Sequence, residues 1–393
     1  MTVRRFGPYF PRIFAAALLE EMSFALFIHF PGYLSGLGAT EGLIGVLYAV
    51  AGVIGLSLRP GLGKILDVTH RRTVILITGA TNATVILLMV TTSIWGPWLW
   101  GLFLLQRIMQ LAVFTTMLTY AADSIPAETR TQGLAIFGLS GLIPIGVSGY
   151  FGDVVVGSVG FDGLFWLAAT MSVLSLIVVW SLPILPVRGQ RPRRSFWAAV
   201  AQRDLLPLWF VTLLFAVGLE TLFTFTRTYV DARQVGTAGA FFGLYGIAAA
   251  VTRLLGGRLY DRLRHRPLLI SSIVGFGAGL GMMAIAGDTT AFLAAAVVTG
   301  SAHGVAFPLL SSEVVNRARV AERGSAMSIF TSIFDIALLV GAPAVGFLIE
   351  GFDYLVAFGV AAIALAIGAV GYALWDLRLE ARSETFVGEE VLE

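Results

Sequence analysis

The chain of 393 residues is 57% hydrophobic and only 13% charged, with a mean hydropathy of +0.85; a soluble domain carries about 25% charged residues, so water is not its main solvent. The formal net charge of +2 is too small to point to a polyanionic partner. Cysteine is absent, which excludes disulfides and thiolate sites, four scattered histidines offer no metal cluster, and no Gly-rich loop ending in Lys-Ser/Thr supports ATP-driven work.

The segment Met1 to Pro11 is basic, and no small-residue cleavage site follows the first apolar run, so it reads as the flank of a retained first span and not a signal peptide. Charged and Pro/Gly-rich breaks then delimit twelve apolar stretches: 13–36, 42–62, 73–94, 98–122, 132–157, 161–186, 205–230, 237–259, 267–287, 290–314, 324–349 and 353–376. Each is long enough to cross about 30 Å of hydrocarbon as a helix. Pro186 to Asp204, with its Arg-Gly-Gln-Arg-Pro-Arg-Arg run, is a solvated linker and not a nucleic-acid surface. The expected fold class is an all-α integral membrane protein of two pseudo-symmetric six-helix bundles, residues 1–187 and 205–376, joined by the linker 188–204 and followed by a tail, 377–393.

Charge segregates along these elements. The N-terminus and the loops after spans 2, 4, 6, 8 and 10 carry arginines such as Arg5, Arg72, Arg130, Arg191, Arg264 and Arg319, whereas loops after odd spans hold mainly Glu41, Asp153, Asp162, Asp231, Asp288, Glu350 and Asp353. By the positive-inside bias both termini are cytoplasmic, as expected of a multi-pass protein of the cell (inner) membrane. Trp95, Trp98 and Trp100 cluster where an outer aromatic belt would sit.

The two halves repeat each other. Gly63-Lys64-Ile65-Leu66-Asp67, followed by His70-Arg71-Arg72, recurs 194 positions later as Gly257-Arg258-Leu259-Tyr260-Asp261, followed by Arg264-His265-Arg266. Arg59 and Arg253 each stand eight residues before the aspartate of their copy. Such duplication is typical of carriers that rock one half against the other. A carboxylate at a helix end accepts bonds from the free amides of a neighbouring helix N-terminus, so Asp67 and Asp261 are expected to latch the cytoplasmic ends. Arg71 and Arg72 are expected to pair with Asp123, and Asn316 predicts a weaker tie in the second half. The plainer alternative is that these basic residues only set topology, since exposed pairs contribute little.

Ionisable residues inside the spans are the next signal: Glu20, Glu21 and His29 in span 1, Arg107 in span 4, Glu220 and Arg227 in span 7, His303 in span 10 and Asp335 in span 11. A mid-bilayer charge costs at least about 2.5 to 3.5 kcal/mol, so such groups face a cavity, pair, or change protonation. Neighbouring residues stand about 100° apart on a helix. Glu21 shares a hemisphere with His29 while Glu20 opposes it, which favours Glu21 as the cavity carboxylate. Arg107 keeps its proton and acts electrostatically; alternation of a glutamate between an arginine-paired and an apolar environment is a way to load and release a proton. A static ion pair tying spans 1 and 4 is the alternative. Glu220 and Arg227, two turns apart at about 10 Å, are too distant for a direct pair. His303 either titrates or packs, and Asp335 either lines the cavity or bonds a neighbouring span. Span 5 is rich in Gly133, Gly138, Gly141, Pro144, Gly146 and Gly149, and span 11 has Gly341, Pro343 and Gly346; small residues permit close helix approach.

Taken with Arg107-Ile108-Met109-Gln110 in span 4, His303-Gly304 with Phe307-Pro308 in span 10, and the doubled Gly/Asp/Arg loop, the chain resembles the major facilitator superfamily over its whole length, and most closely the twelve-span drug and metabolite efflux branch. The resemblance implies a central cavity lined by spans 1, 4, 7 and 10 and alternating access without a cofactor. It further implies a monomeric, proton-coupled antiporter that exports a small-molecule substrate through the lipid bilayer. Phe24, Phe27, Phe114, Phe223 and Phe225 lean toward amphipathic cargo. A carrier of a defined metabolite, such as a sugar, siderophore or lysolipid, in either direction is the alternative. A membrane-embedded enzyme or receptor is more remote, because no clustered His/Asp or Ser/His site is found.

Overall fold

The computed structural model describes residues 6–126, 129–186, 200–260, 265–319 and 322–390, and all regular structure among them is helical. In the first half lie α1 (Phe10–Ala25), α2 (Phe30–Gly36), α3 (Glu41–Val68), α4 (Arg71–Met89), α5 (Pro97–Ser124), α6 (Arg130–Phe137) and α7 (Leu139–Trp180). The second half holds α8 (Leu206–Arg233), α9 (Ala238–Tyr260), α10 (His265–Ala284), α11 (Thr289–Arg317), α12 (Arg323–Gly351) and α13 (Tyr354–Glu390).

Local chemistry sets the boundaries. Thr40 Oγ1 accepts from Leu43 N at 3.3 Å to cap α3, and Asp288 accepts from Ala291 N at 2.8 Å to cap α11. Pro97 and Pro207 open α5 and α8, where a missing N–H costs nothing. Pro31 lacks the amide that would continue the α1 ladder, and the chain passes through a tighter turn, Leu26–His29, before α2 completes the same crossing. A straight α7 of 42 residues would run about 63 Å, twice the hydrocarbon thickness. Gly160, at φ 75° and ψ −173°, breaks it into two arms of membrane length. With α1 and α2 counted as one crossing, the short α6 as the lead-in to α7 and α7 as two, the described helices make the twelve crossings of two six-helix bundles.

An even number of crossings brings both chain ends to one face of the bundle, here termed the terminal end; the opposite face is the loop end. Within the halves, α1 packs on α7, α4 on α5, and α11 on α9 and α10. Between the halves two seams dominate, α3 against α12 and α7 against α9. Both are tightest at the loop end because glycines let backbones meet. A β-carbon on Gly45 would collide with the Ala342 backbone, and one on Gly52 would stand 2.8 Å from the Asp335 carbonyl. On the other seam a β-carbon on Gly246 would lie 2.7 Å from the Gly146 Cα. Toward the terminal end the seams widen. At Arg59 the gap between α3 and α12 is spanned by a whole arginine side chain, and at Gly141 a β-carbon would meet nothing within 4 Å.

Gly246→Val should therefore wedge the α7/α9 seam open, at an overpacking cost of about 1 to 3 kcal/mol. Spin labels at Val154 and Ala232 should move apart and the melting temperature of the purified protein should fall. If both stay at wild-type values, the seam is not tight.

Candidate functional site

Between the halves two adjoining cavities, of about 260 and 230 Å³, share Glu21, Phe24 and Arg107. The first extends toward the terminal end past Leu111 and Phe114 and meets Asp335 and Leu338 of α12. The second is lined by Ile28 and Ile145 of the first half and by Glu220, Phe223 and Thr224 of α8. Both halves therefore supply walls. Phe27 lines the second cavity, whereas Phe225 is fully buried in the core.

The helical step of about 100° sends the two glutamates of α1 different ways. Glu21 faces both cavities and accepts from Gln110 Nε2 at 3.2 Å. Glu20 is 1% exposed and lies behind α1. Its two oxygens accept from Asn82 Nδ2 of α4 and Ser172 Oγ of α7, each at 2.9 Å. Asn82 Nδ2 also reaches Gln110 Oε1 at 3.5 Å, so a chain of polar groups joins Glu21 to Glu20 through the first half. Ser148 and Ser175 donate to the carbonyls of Met22 and Ala16, which seats α1 on α7.

Arg107 lies against three rings, its guanidinium carbon 5.0 Å from the Phe24 centroid, 5.5 Å from Tyr48 and 5.9 Å from Phe103. Such contacts hold a cation against the ring quadrupole. No carboxylate stands within 4.0 Å of it among the described residues, so a direct tie between spans 1 and 4 through Arg107 is not formed. Asp335 does both things weighed for it: it lines the first cavity and accepts from Arg59 Nε at 2.5 Å, while Arg59 also donates to Thr331 Oγ1 at 3.3 Å. Arg59, expected at a terminal-end gate, thus meets a cavity residue across the seam between the halves.

His29 and Arg227 stand away from these cavities, in a cluster at the loop end. Arg227 reaches Asp153 of α7 at 3.1 Å and Asp231, one turn along α8, at 2.9 Å; it makes no pair with Glu220. Gly239 N, in the first turn of α9, donates to Asp153 Oδ2 at 2.6 Å. The carbonyl of Gly149 can only accept, so His29 Nε2 donates to it at 2.9 Å, which in the neutral ring leaves Nδ1 to accept from Arg227 at 3.4 Å. Asp153 in one half therefore grips a guanidinium and a helix N-terminus of the other. His303 is buried in the second half, bonded to Tyr245 and flanked by Phe215 and Phe307, and does not line either cavity. Arg253 on α9 is near enough for its charge to act on both members of that pair.

At the terminal end Arg71 pairs with Asp123 at 3.3 Å and donates to the Leu66 carbonyl. Arg72 does not share that aspartate; its guanidinium lies over Trp180 and donates to the Trp180 carbonyl at 2.6 Å. The Asp67 side chain and the whole of Asp261 lie outside what is described, as does most of the linker. The second half, where Asn316 predicted a weaker tie, holds a denser one. Arg317 bonds both Glu313, at 3.1 Å, and Asp376, and Arg266 reaches Asp376 at 3.6 Å. Sequence reading passed over Asn82, Ser172 and Asp376: the first two are neutral, and the third looks like an ordinary tail-proximal acid until its burial is seen.

A family model described as Major Facilitator Superfamily matches residues 13–237 and 232–391. An uncharacterized MFS-type transporter of Salmonella typhimurium is 30% identical over 157 residues, 40% of each chain. Another, of Burkholderia mallei, is 29% identical over 185 residues, 47% of this chain and 45% of the relative. The alignments thus span less than half the length of these relatives. Among solved structures, the nucleoside transporter NupG superposes with a TM-score of 0.75 at 16% identity, covering 94% of this chain and 99% of NupG. The human organic anion transporter MFSD10 gives 0.66 at 17%, covering 92% and 98%, and the POT family transporter PepTSo gives 0.75 at 11%, covering 97% and 99%. At these identities the likeness is one of fold.

Asp153→Asn keeps the shape of the loop-end cluster but removes the charge that holds Arg227 and the α9 amide. Charged hydrogen bonds of this kind contribute about 2 kcal/mol, so distance spectroscopy between labels at Val154 and Ala232 should show a growing population with the loop end parted. An unaltered distribution in the folded variant would mean that the glycine seams alone keep this end shut.

Proposed function

The chain belongs to the Major Facilitator Superfamily, and we propose that it is a proton-coupled exporter of small amphipathic compounds. It works by alternating access as a monomer in the cell (inner) membrane, with the terminal end facing the cytoplasm. The observation that carries this reading is a pair of adjoining cavities walled by both halves, lined by Glu21, Glu220 and Asp335 and by an Arg107 guanidinium that has no carboxylate within 4.0 Å among the described residues. In this state an amphipath enters from the terminal end, beside Phe114, and reaches Glu21 and Arg107. Substrate binding there displaces the Glu21 proton to water at the terminal end, and Glu21 takes a proton back from the loop-end side once the substrate has left. Release of the Asp153 cluster then parts the loop end while the terminal end closes.

In this scheme residues 1–187 and 205–376 are the rocking units and 188–204 their tether. Arg59, Asp67, Arg71, Arg72, Asp123, Arg253 and Asp261 form the terminal-end gate, and Glu20, His29, Glu220, Arg227, His303 and Asp335 shape the response of the cavity and seams. The alternative, a carrier of one defined metabolite, is favoured by the convergence of Gln110, Glu21 and Arg107 on one small space, since several directed polar groups select a particular ligand.

Glu21→Gln should abolish transport driven by an imposed pH gradient in proteoliposomes, while compounds that raise the melting temperature of the wild-type protein still bind. Glu20→Gln should retain gradient-driven transport. The reverse pattern would move the proton site behind α1, and gradient-independent transport in both variants would remove proton coupling.

A further inference from the structure

Arg107 and Glu220 line one cavity from opposite halves without touching. Arg59 and Arg227, the other arginines within spans whose partners are described above, each hold a carboxylate within 4.0 Å. Arg107 instead rests on the rings of Phe24, Tyr48 and Phe103, which fix its position but leave its N–H fork without an acceptor among the described residues. No hydrogen bond or ion pair joins Arg107 to Glu220 among the described residues. Glu220 likewise meets no hydrogen-bond donor among the described residues, whereas Glu21 is held by Gln110.

With Glu21 carrying its proton, Arg107 and an ionised Glu220 are two opposite charges held apart on largely apolar walls, and they set a condition on what can fill the space between them. A neutral apolar ligand would strip water from both and compensate neither. An amine alone would leave Arg107 unsatisfied, and an acid alone would leave Glu220 so; an uncompensated buried charge is the costly case. We propose that the cavity takes an amphipathic zwitterion, its carboxylate on the Arg107 fork, its ammonium on Glu220, and its apolar body against Phe24, Ile145 and Phe223. A planar carboxylate matches the guanidinium fork bidentately. Such a ligand bridges the halves, and Glu21 stays available for the proton. This assignment rests on the reading of the cavity as the transport site.

Three compounds with one phenylalkyl body test it: 2-amino-4-phenylbutyrate carries both charges, 4-phenylbutyrate only the acid and 3-phenylpropylamine only the amine. With the full chain in nanodiscs at pH 7, calorimetry should show the zwitterion binding at least about tenfold tighter than either relative, as one added charged hydrogen bond provides. Arg107→Gln should reduce zwitterion affinity to that of the amine, and Glu220→Gln to that of the acid. Arg107→Lys, which keeps the charge, should retain part of the preference and guards against loss through misfolding. Equal affinities for the three probes, no binding of any, or an Arg107→Gln variant that still prefers the zwitterion overturns the assignment. Counterflow in proteoliposomes separates the two ideas. Tight zwitterion binding without counterflow refutes transport and leaves the ligand class standing, whereas counterflow of the amine as fast as the zwitterion keeps transport and refutes the class.

Discussion

The carboxylate of Asp153 is the point on which the arrangement of the two halves turns. It sits on the first arm of α7, and its two oxygens are taken by groups of the other half, the guanidinium of Arg227 and the backbone amide of Gly239. An anion at a helix N-terminus meets both the free N–H groups and the positive end of the dipole, and at the rim of a bilayer the low dielectric strengthens every such contact. Glycine seams bring α7 to α9 and α3 to α12 close enough for this bond to form. Without close approach the charge would have no partner, and without the charge the seams would be held by packing alone.

Polarity is distributed unevenly between halves that descend from one plan. The first half holds Glu20, Glu21, Asn82, Gln110 and Ser172 in one connected set behind and beside the cavity. An offset of 194 residues puts Leu214, Phe215 and Phe276 opposite Glu20, Glu21 and Asn82. In the second half the corresponding region is an aromatic core in which Phe215 and Phe276 stack edge to face with centroids 5.1 Å apart. Duplication supplied the scaffold, and at these matched positions divergence put the hydrogen-bonding groups on the first half alone.

The twelve crossings were legible because apolar length and charge segregation are properties of composition, and the doubled loop motif announced two halves before any helix was placed. The same reasoning separated the faces of Glu20 and Glu21, since adjacent residues cannot share one. What surrounds each face was not legible. Asn82 and Ser172 meet Glu20 across 62 and 152 residues of chain, and a neutral side chain inside an apolar span leaves no trace in charge patterning. His29 and Asp153 belong to one cluster though 124 positions apart, because the turn at Leu26–His29 redirects the end of the first crossing. Arg72 left Asp123 to Arg71 because Trp180 offers it a ring face and a carbonyl together. Partner choice of this kind is decided by which helices become neighbours, and one chain read alone does not carry it.

The single-residue turn at Gly160 has a mechanical consequence. Most hairpins between crossings have slack, so that one helix slides while its neighbour stays. The two arms of α7 are joined with none, through one glycine at φ 75°, and so behave as the two legs of a clip. One leg carries Gly146, Gly149 and Asp153 into the seam between the halves; the other carries Ser172 to the oxygen of Glu20. A shift of the first leg is therefore delivered to the second as torque, and the most deeply hidden carboxylate among the described residues is geared to the seam between the halves.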